Sequence, residues 1–169
     1  MPTSALSKRL LQIGASLLLQ AVVLFGFAGH LRWTMAWVYL ACNVGIVVTI
    51  AVTVAARQPG LVEERSRLCA GTARWDRLLS GVLTVFGIAM LIVAGLDRRM
   101  VWSSVARVTQ IAALIPFAGG SLLVARAMAA NRFFSTAVRI QRDRGHTVVT
   151  DGPYRLVRHP GYAGFIATI

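Results

Sequence analysis

Residues 33–56 read WTMAWVYLACNVGIVVTIAVTVAA, without one charged side chain. A helix needs about 20 apolar residues to cross a hydrocarbon core about 30 Å thick. This run is long enough. Lipid offers no partner to an open backbone group, so a spanning segment must satisfy its own N–H and C=O groups, which favours helix. The run is also too long and too uniformly apolar for a barrel strand. Three more windows share the pattern: residues 11–29, LQIGASLLLQAVVLFGFAG; 78–96, LLSGVLTVFGIAMLIVAGL; and 108–125, VTQIAALIPFAGGSLLVA. Four such runs in 169 residues would leave a soluble helix bundle almost no solvated face. The expected fold is therefore all-α, a polytopic transmembrane protein of four complete spans. Residues 1–169 form a single membrane-embedded domain in this reading.

Composition agrees. Hydrophobic residues make up 56% and charged residues 14%, against about 25% charged in ordinary soluble domains. The net charge of +12 does not indicate nucleic acid, because the arginines flank apolar runs and form no single polar domain. Anionic lipid headgroups are the natural counter-charge. Cys42 and Cys69 belong to no CxxC pair or metal-like cluster, so neither a disulfide framework nor a metal site is expected. The N-terminus, MPTSALSKRLLQIGASLLLQ, has the charge pattern of a signal peptide but no clear small-residue cleavage site. It reads as an uncleaved first span.

The loops orient the spans. Of the 18 basic residues, fourteen fall on one side: Lys8, Arg9, Arg57, Arg65, Arg67, Arg74, Arg77, Arg126, Arg132, Arg139, Arg142, Arg144, Arg155 and Arg158. Only Arg32, Arg98, Arg99 and Arg107 fall on the other. The positive-inside rule places the N-terminus and the 126–159 loop in the cytoplasm. Trp33, Trp37 and Trp102 lie near the expected interfaces. Gly26 and Gly29, and Gly119 and Gly120, offer small surfaces for close helix contact. Pro116 removes a backbone donor within the fourth span.

The polar chemistry gathers late. Residues 126–138, RAMAANRFFSTAV, are expected to prolong the fourth helix to the interface. Val138, Ile140, a turn at 143–145 and the following TVV suggest a short hairpin-like cytoplasmic loop. Then comes HTVVTDGPYRLVRHPGYAG, residues 146–164. Pro153 and Pro160 fix two φ angles and bias Gly152 and His159 toward extended backbone. Pro160 suits the first turn of a fifth helix, whose free backbone donors favour an anion or a carboxylate. Two His, two Tyr and two Arg fall between His146 and Tyr162. Each also has a plain reading, as solvated rings or as arginines snorkelling to headgroups. The loop RQPGLVEERSRLCAGTARWDR, residues 57–77, reads as an interfacial turn with self-paired charges or as a flap over a cytoplasmic pocket.

The late stretch resembles the cofactor-binding signature of the isoprenylcysteine carboxyl methyltransferase family. Its Gly-Pro-Tyr and Arg-His-Pro-x-Tyr elements precede an apolar helix at the family's spacing. NRFFSTAVRIQRDRG and EERSR…GTARWDR resemble its bacterial members. The resemblance implies an integral membrane enzyme that uses S-adenosylmethionine to methylate a carboxylate, in eukaryotes that of a prenylated C-terminal cysteine. Carried over, His146, Thr147, Val148 and Val149 line the cofactor cleft, Tyr154 joins them, and His159, Pro160, Gly161 and Tyr162 form the helix-start part of the site. No catalytic general base and no metal are implied. The family closes its site with a later helix bearing an arginine and paired glutamates. That helix would follow Ile169, so the sequence is expected to be a fragment or truncated.

Physically, a carboxylate is already anionic at neutral pH, and methyl transfer to it needs positioning and desolvation more than proton transfer. The implied partners are membrane lipid and a small or lipid-like carboxylate, with no nucleic acid and no obligatory protein. The implied location is a bacterial inner membrane. Two other readings stand beside this one. Membrane NADPH-dependent reductases of related architecture resemble the same region. A non-enzymatic structural or transport protein would want polar relays inside the spans, where only Gln20, Asn43 and Gln110 appear beside scattered Ser and Thr.

Overall fold

A computed structural model describes residues 3–57, 74–134, 145 and 147–169. It holds four long helices, α1 (Thr3–Ala28), α2 (Thr34–Arg57), α3 (Arg74–Met100) and α4 (Arg107–Ala130), a 3₁₀ turn over Gly152–Arg155, and a short α5 (Pro160–Ala167). All four long helices are long and apolar enough to cross a membrane. The shortest, at 24 residues, rise about 36 Å. α3 and α4 run past their expected windows at both ends, while α1 begins earlier and α2 ends one residue later than expected, each stopping one residue short at its other end. Helix α4 continues through Pro116.

The helices pack as a row, α3 on α1, α1 on α2, α2 on α4, and α4 on both α5 and the 3₁₀ turn. Only 6% to 17% of each span's most apolar window is buried within the protein. The rest faces outward, as lipid-facing surface does. These are the proportions of a polytopic membrane bundle, and the four expected spans with the start of a fifth helix are present.

Two apolar clusters mark the two ends. Leu24, Phe25, Ala36 and Leu40 pack with Trp33, Leu91 and Ala94, joining α1, α2 and α3. Val54 and Met128 pack with Ile50, Val124 and Phe134, joining α2 to α4 at the opposite end. Between these ends lies a polar knot. The Tyr39 hydroxyl donates to Gln20 Oε1 (3.0 Å), and Asn43 Nδ2 donates to the same oxygen (2.7 Å). The Tyr39 ring lies 5.5 Å from that of Phe117 on α4. Polar groups in hydrocarbon find each other because nothing else there can bond them. Gln20 thereby ties α1 to Tyr39 and Asn43 of α2.

Close helix contact forms at glycines other than Gly26. A Cβ on Gly26 would meet nothing within 4 Å, whereas one on Gly95 would stand 2.8 Å from Phe27 Cβ and 2.9 Å from Leu24 O. Gly29 takes φ +76° in the turn after α1. At the other end Gly120 of α4 lies against Gly164 of α5: a Cβ on Gly164 would stand 2.6 Å from Gly120 O and 2.8 Å from Val124 Cγ2. This crossing seats α5 on α4 and so positions everything between them.

Candidate cofactor site

Helix α4 stops at Ala130, short of the expected prolongation through residue 138. Asn131 takes an extended conformation (φ −115°, ψ 103°) as the C-cap, its N–H still bonded to Ala127 O. Its side-chain Oδ1 accepts the Phe133 N–H (2.8 Å). Such local side-chain bonding competes with helix continuation. The turn tucks Phe133 inside, 5% exposed, with the Arg132 guanidinium 4.6 Å above its ring. Residues 135–144, with most of the expected hairpin-like loop, lie outside the described residues, as do 58–73 with Glu63 and Glu64.

The Gly-Pro-Tyr segment is the 3₁₀ turn. Tyr154 N–H donates to Asp151 O (3.2 Å), and the Leu156 and Val157 N–H groups close on Pro153 O. Gly152 is not extended, as Pro153 led us to expect, but left-handed at φ +59°. Glycine carries no Cβ cost there, and a Cβ would also press on Ala130 Cβ at 3.2 Å. The left-handed step folds the turn back onto the end of α4. Asn131 then reaches across: its Nδ2 donates to the Tyr154 hydroxyl (3.1 Å). That oxygen accepts, and among the described residues the phenol O–H itself donates to none. Burial raises the Tyr154 pKa above its usual 10.0, and the Asn131 hydrogen bond offsets part of the rise. The phenol is thus protonated across the neutral range. Its contribution to stability is present below the ordinary tyrosine pKa and lost only as pH rises through the raised one.

Helix α5 begins as expected, with Pro160 at its first position and fully buried. The first helical bond runs from Ala163 N–H to His159 O (3.1 Å). The His159 side chain makes no capping bond, and the Gly161 and Tyr162 N–H groups precede the helical ladder, as the first donors of any helix do. Gly161 is needed for contact: a Cβ there would stand 2.9 Å from Phe134 Cε2. His159 and Tyr162 are both exposed, with ring centroids 5.8 Å apart.

The sequence-derived candidates therefore fall into groups. Tyr154 is tied to the end of α4. His159, Pro160, Gly161 and Tyr162 form the start of α5. Thr147 and Val148 are exposed and Val149 is half-buried, in a stretch without helix or strand. His146 lies outside the described residues. Tyr154 and the start of α5 pack on the end of α4, the end of the Val54–Met128 cluster. Asn131 was missed. Its only sequence signal is a polar residue closing an apolar run before two phenylalanines.

Asn131→Ala removes the bond that holds the Tyr154 hydroxyl. The expected cost is about 1 kcal/mol of stability, read as a lower midpoint of thermal unfolding in detergent. Tyr154→Phe, which removes the tether but leaves Asn131 Oδ1 to accept the Phe133 N–H, should separate the tether from the cap.

Comparison with known proteins bears on this same end. Residues 111–169 match the model of the isoprenylcysteine carboxyl methyltransferase (ICMT) family. A 37-residue stretch is 49% identical to a protein of Oryza sativa subsp. indica described as a probable protein-S-isoprenylcysteine O-methyltransferase. It is 43% identical over the same length to protein-S-isoprenylcysteine O-methyltransferase B of Arabidopsis thaliana. In each case the stretch is 22% of this chain and 19% of the relative, so the match spans about a fifth of the plant proteins' length. No solved structure matches.

Proposed function

We propose that this protein is a membrane methyltransferase of the isoprenylcysteine carboxyl methyltransferase type, and that residues 146–162 hold S-adenosylmethionine. The observation that carries the proposal is the meeting of three features at one end of the bundle. These are a tyrosine whose O–H donates to none of the described residues, an exposed His–Tyr ring pair, and a helix start that the His159 side chain does not cap. The family match covers α4 from residue 111, the turn and α5, which are the elements that make this end.

The residues present fit that cofactor. Exposed faces of His159 and Tyr162 suit an adenine or a sulfonium cation. The Gly161 and Tyr162 N–H groups suit a carboxylate at a helix start. The Tyr154 O–H suits a ring nitrogen or a carboxylate oxygen. When bound, the cofactor supplies an electrophilic methyl group. What the chain does is bind, orient and exclude water. Thr147, Val148 and Val149, with His146, are proposed as the facing wall. No side chain is assigned as a general base, since a carboxylate acceptor needs none.

The acceptor is proposed to be a small or lipid-like carboxylate; the plant relatives are described as protein-S-isoprenylcysteine O-methyltransferases. A lipid-tailed substrate reaches the site from the bilayer while the cofactor arrives from water. The fourteen-to-four division of basic residues supports a cytoplasmic position for this end. The NRFF stretch supports a bacterial-type member in an inner membrane.

Calorimetric titration of the protein in nanodiscs with S-adenosylmethionine and with NADPH separates the two enzyme readings. Saturable binding of S-adenosylmethionine alone is the expected result. Binding of NADPH alone would turn the site into a reductase's, with Arg155 and Arg158 as phosphate ligands.

A further inference from the structure

The opposite end of the bundle carries a feature that the proposed methyl transfer does not use. A groove of about 420 Å³ runs along α1 beneath the α1–α2 turn, lined by Ala21, Phe25, Gly26, His30 and Trp37 among others. The groove is shallow and open along its length, the shape of a surface that an extended chain lies against and not of an enclosed pocket. Its lining is mostly apolar, with His30 the one ionisable side chain in it. The wall is fixed: the Trp37 and Phe25 rings lie 4.7 Å apart, and Trp37 Nε1 donates to Leu31 O (3.0 Å).

The turn beside it is cationic. The Arg99 guanidinium lies over the turn, its Nε 3.7 Å from where a Cβ on Gly29 would stand. Arg32 follows His30 by two residues, and Arg98 precedes Arg99. All three arginines are exposed. Asp97 is the one acid in segments 29–33 and 97–107, and its Oδ2 already accepts a bond from Ser103 (2.9 Å). Arginines at this end run against the charge bias of the chain; Arg99 stands beside Gly29 of the groove wall, with Arg32 and Arg98 next to these residues in sequence, and together they call for a counter-charge.

We infer that this groove is a binding site for an anionic phospholipid, one acyl chain lying along Ala21, Phe25 and Gly26 and the phosphodiester meeting Arg99, Arg32 and His30. Charge complementarity selects the headgroup, and the groove's position within the span of α1 selects a lipid over a soluble anion. A zwitterionic lipid fills the apolar part equally well but gains less from the arginines.

Trp37 reports occupancy directly. In a form with Trp33→Phe, Trp75→Phe and Trp102→Phe, reconstituted with chain-brominated lipids, Trp37 fluorescence reads contact with the acyl chain. Brominated phosphatidylglycerol should quench it at a mole fraction several-fold lower than brominated phosphatidylcholine, on the order of fivefold per arginine engaged. Arg99→Gln with Arg32→Gln should bring the two lipids together. A Cβ on Gly26 meets nothing within 4 Å, so Gly26→Leu fills the groove without moving a helix and should weaken quenching by both lipids. Equal quenching by the two lipids in the parent form would overturn the inference, as would displacement of the brominated lipid by millimolar inorganic phosphate. Native mass spectrometry of the unsubstituted protein gives an answer independent of the tryptophan changes. Phosphatidylglycerol retained in preference to phosphatidylcholine is expected, and no preference overturns the assignment.

Discussion

Gly120→Leu and Gly164→Leu should each detach α5 from α4 and lower the unfolding midpoint in detergent more than any surface change. At Gly164 the first atom of the new side chain already stands 2.6 Å from a backbone oxygen. At Gly120 it would meet Gly164 O, with Ala167 Cβ at 3.0 Å and Thr168 Cγ2 at 3.1 Å behind it. Backbone cannot rotate away as a side chain can. Overpacking costs about 1–3 kcal/mol in a core that can adjust, and here the cost should exceed about 3 kcal/mol. The control lies next door. A Cβ on Gly119 meets nothing within 4 Å, so Gly119→Leu should be tolerated and gain up to about 1 kcal/mol of helix propensity. Opposite outcomes at adjacent glycines, read by thermal unfolding and by protease release of the C-terminal segment, would establish the crossing. Equal effects at Gly119 and Gly120 would refute it.

His159→Ala combined with Tyr162→Ala should leave the unfolding midpoint almost unchanged and weaken S-adenosylmethionine binding by tenfold or more. Tyr162 is 64% exposed and His159 is exposed as well. Exposed substitutions typically move stability by no more than about 0.5 kcal/mol. The ring pair would nonetheless lose stacking and cation–π contacts to the cofactor. Base–aromatic stacking is worth about 1–3 kcal/mol per base in other settings, and about 1.4 kcal/mol is a tenfold change in affinity. The contrast with the glycine variants is the point: one pair of changes lowers stability first, the other lowers affinity alone. Unchanged affinity in the double variant would remove His159 and Tyr162 from the site and favour a structural role for this end.

The four spans were legible because lipid imposes a length and a composition that no other environment demands. The start of α5 was legible because Pro160 has one low-cost place in a helix. What faces what was not. The spans are apolar all round, and without a polar face a sequence gives no direction to a helix surface. Gly26 and Gly95 look alike on paper, yet only Gly95 meets a neighbour. Gly119 and Gly120 differ by one residue and about 100° around the same helix. Gly152 was misjudged because the restriction before proline was applied to the one residue free to take a left-handed angle. Asn131 acts on Tyr154 across 23 residues, and local reading cannot reach that far. The late stretch was legible as a gathering of residue types, and the seating of the start of α5 at the end of the bundle follows from the α4–α5 crossing.

The most direct test of the account is photo-crosslinking of tritiated S-adenosylmethionine to the protein in nanodiscs, followed by peptide mapping. The account predicts label on peptides within residues 145–162, competed by unlabelled cofactor and lost in the Gly164→Leu variant. Specific label on the α1–α2 turn or elsewhere in the spans, or no competable label in a folded protein, would contradict it.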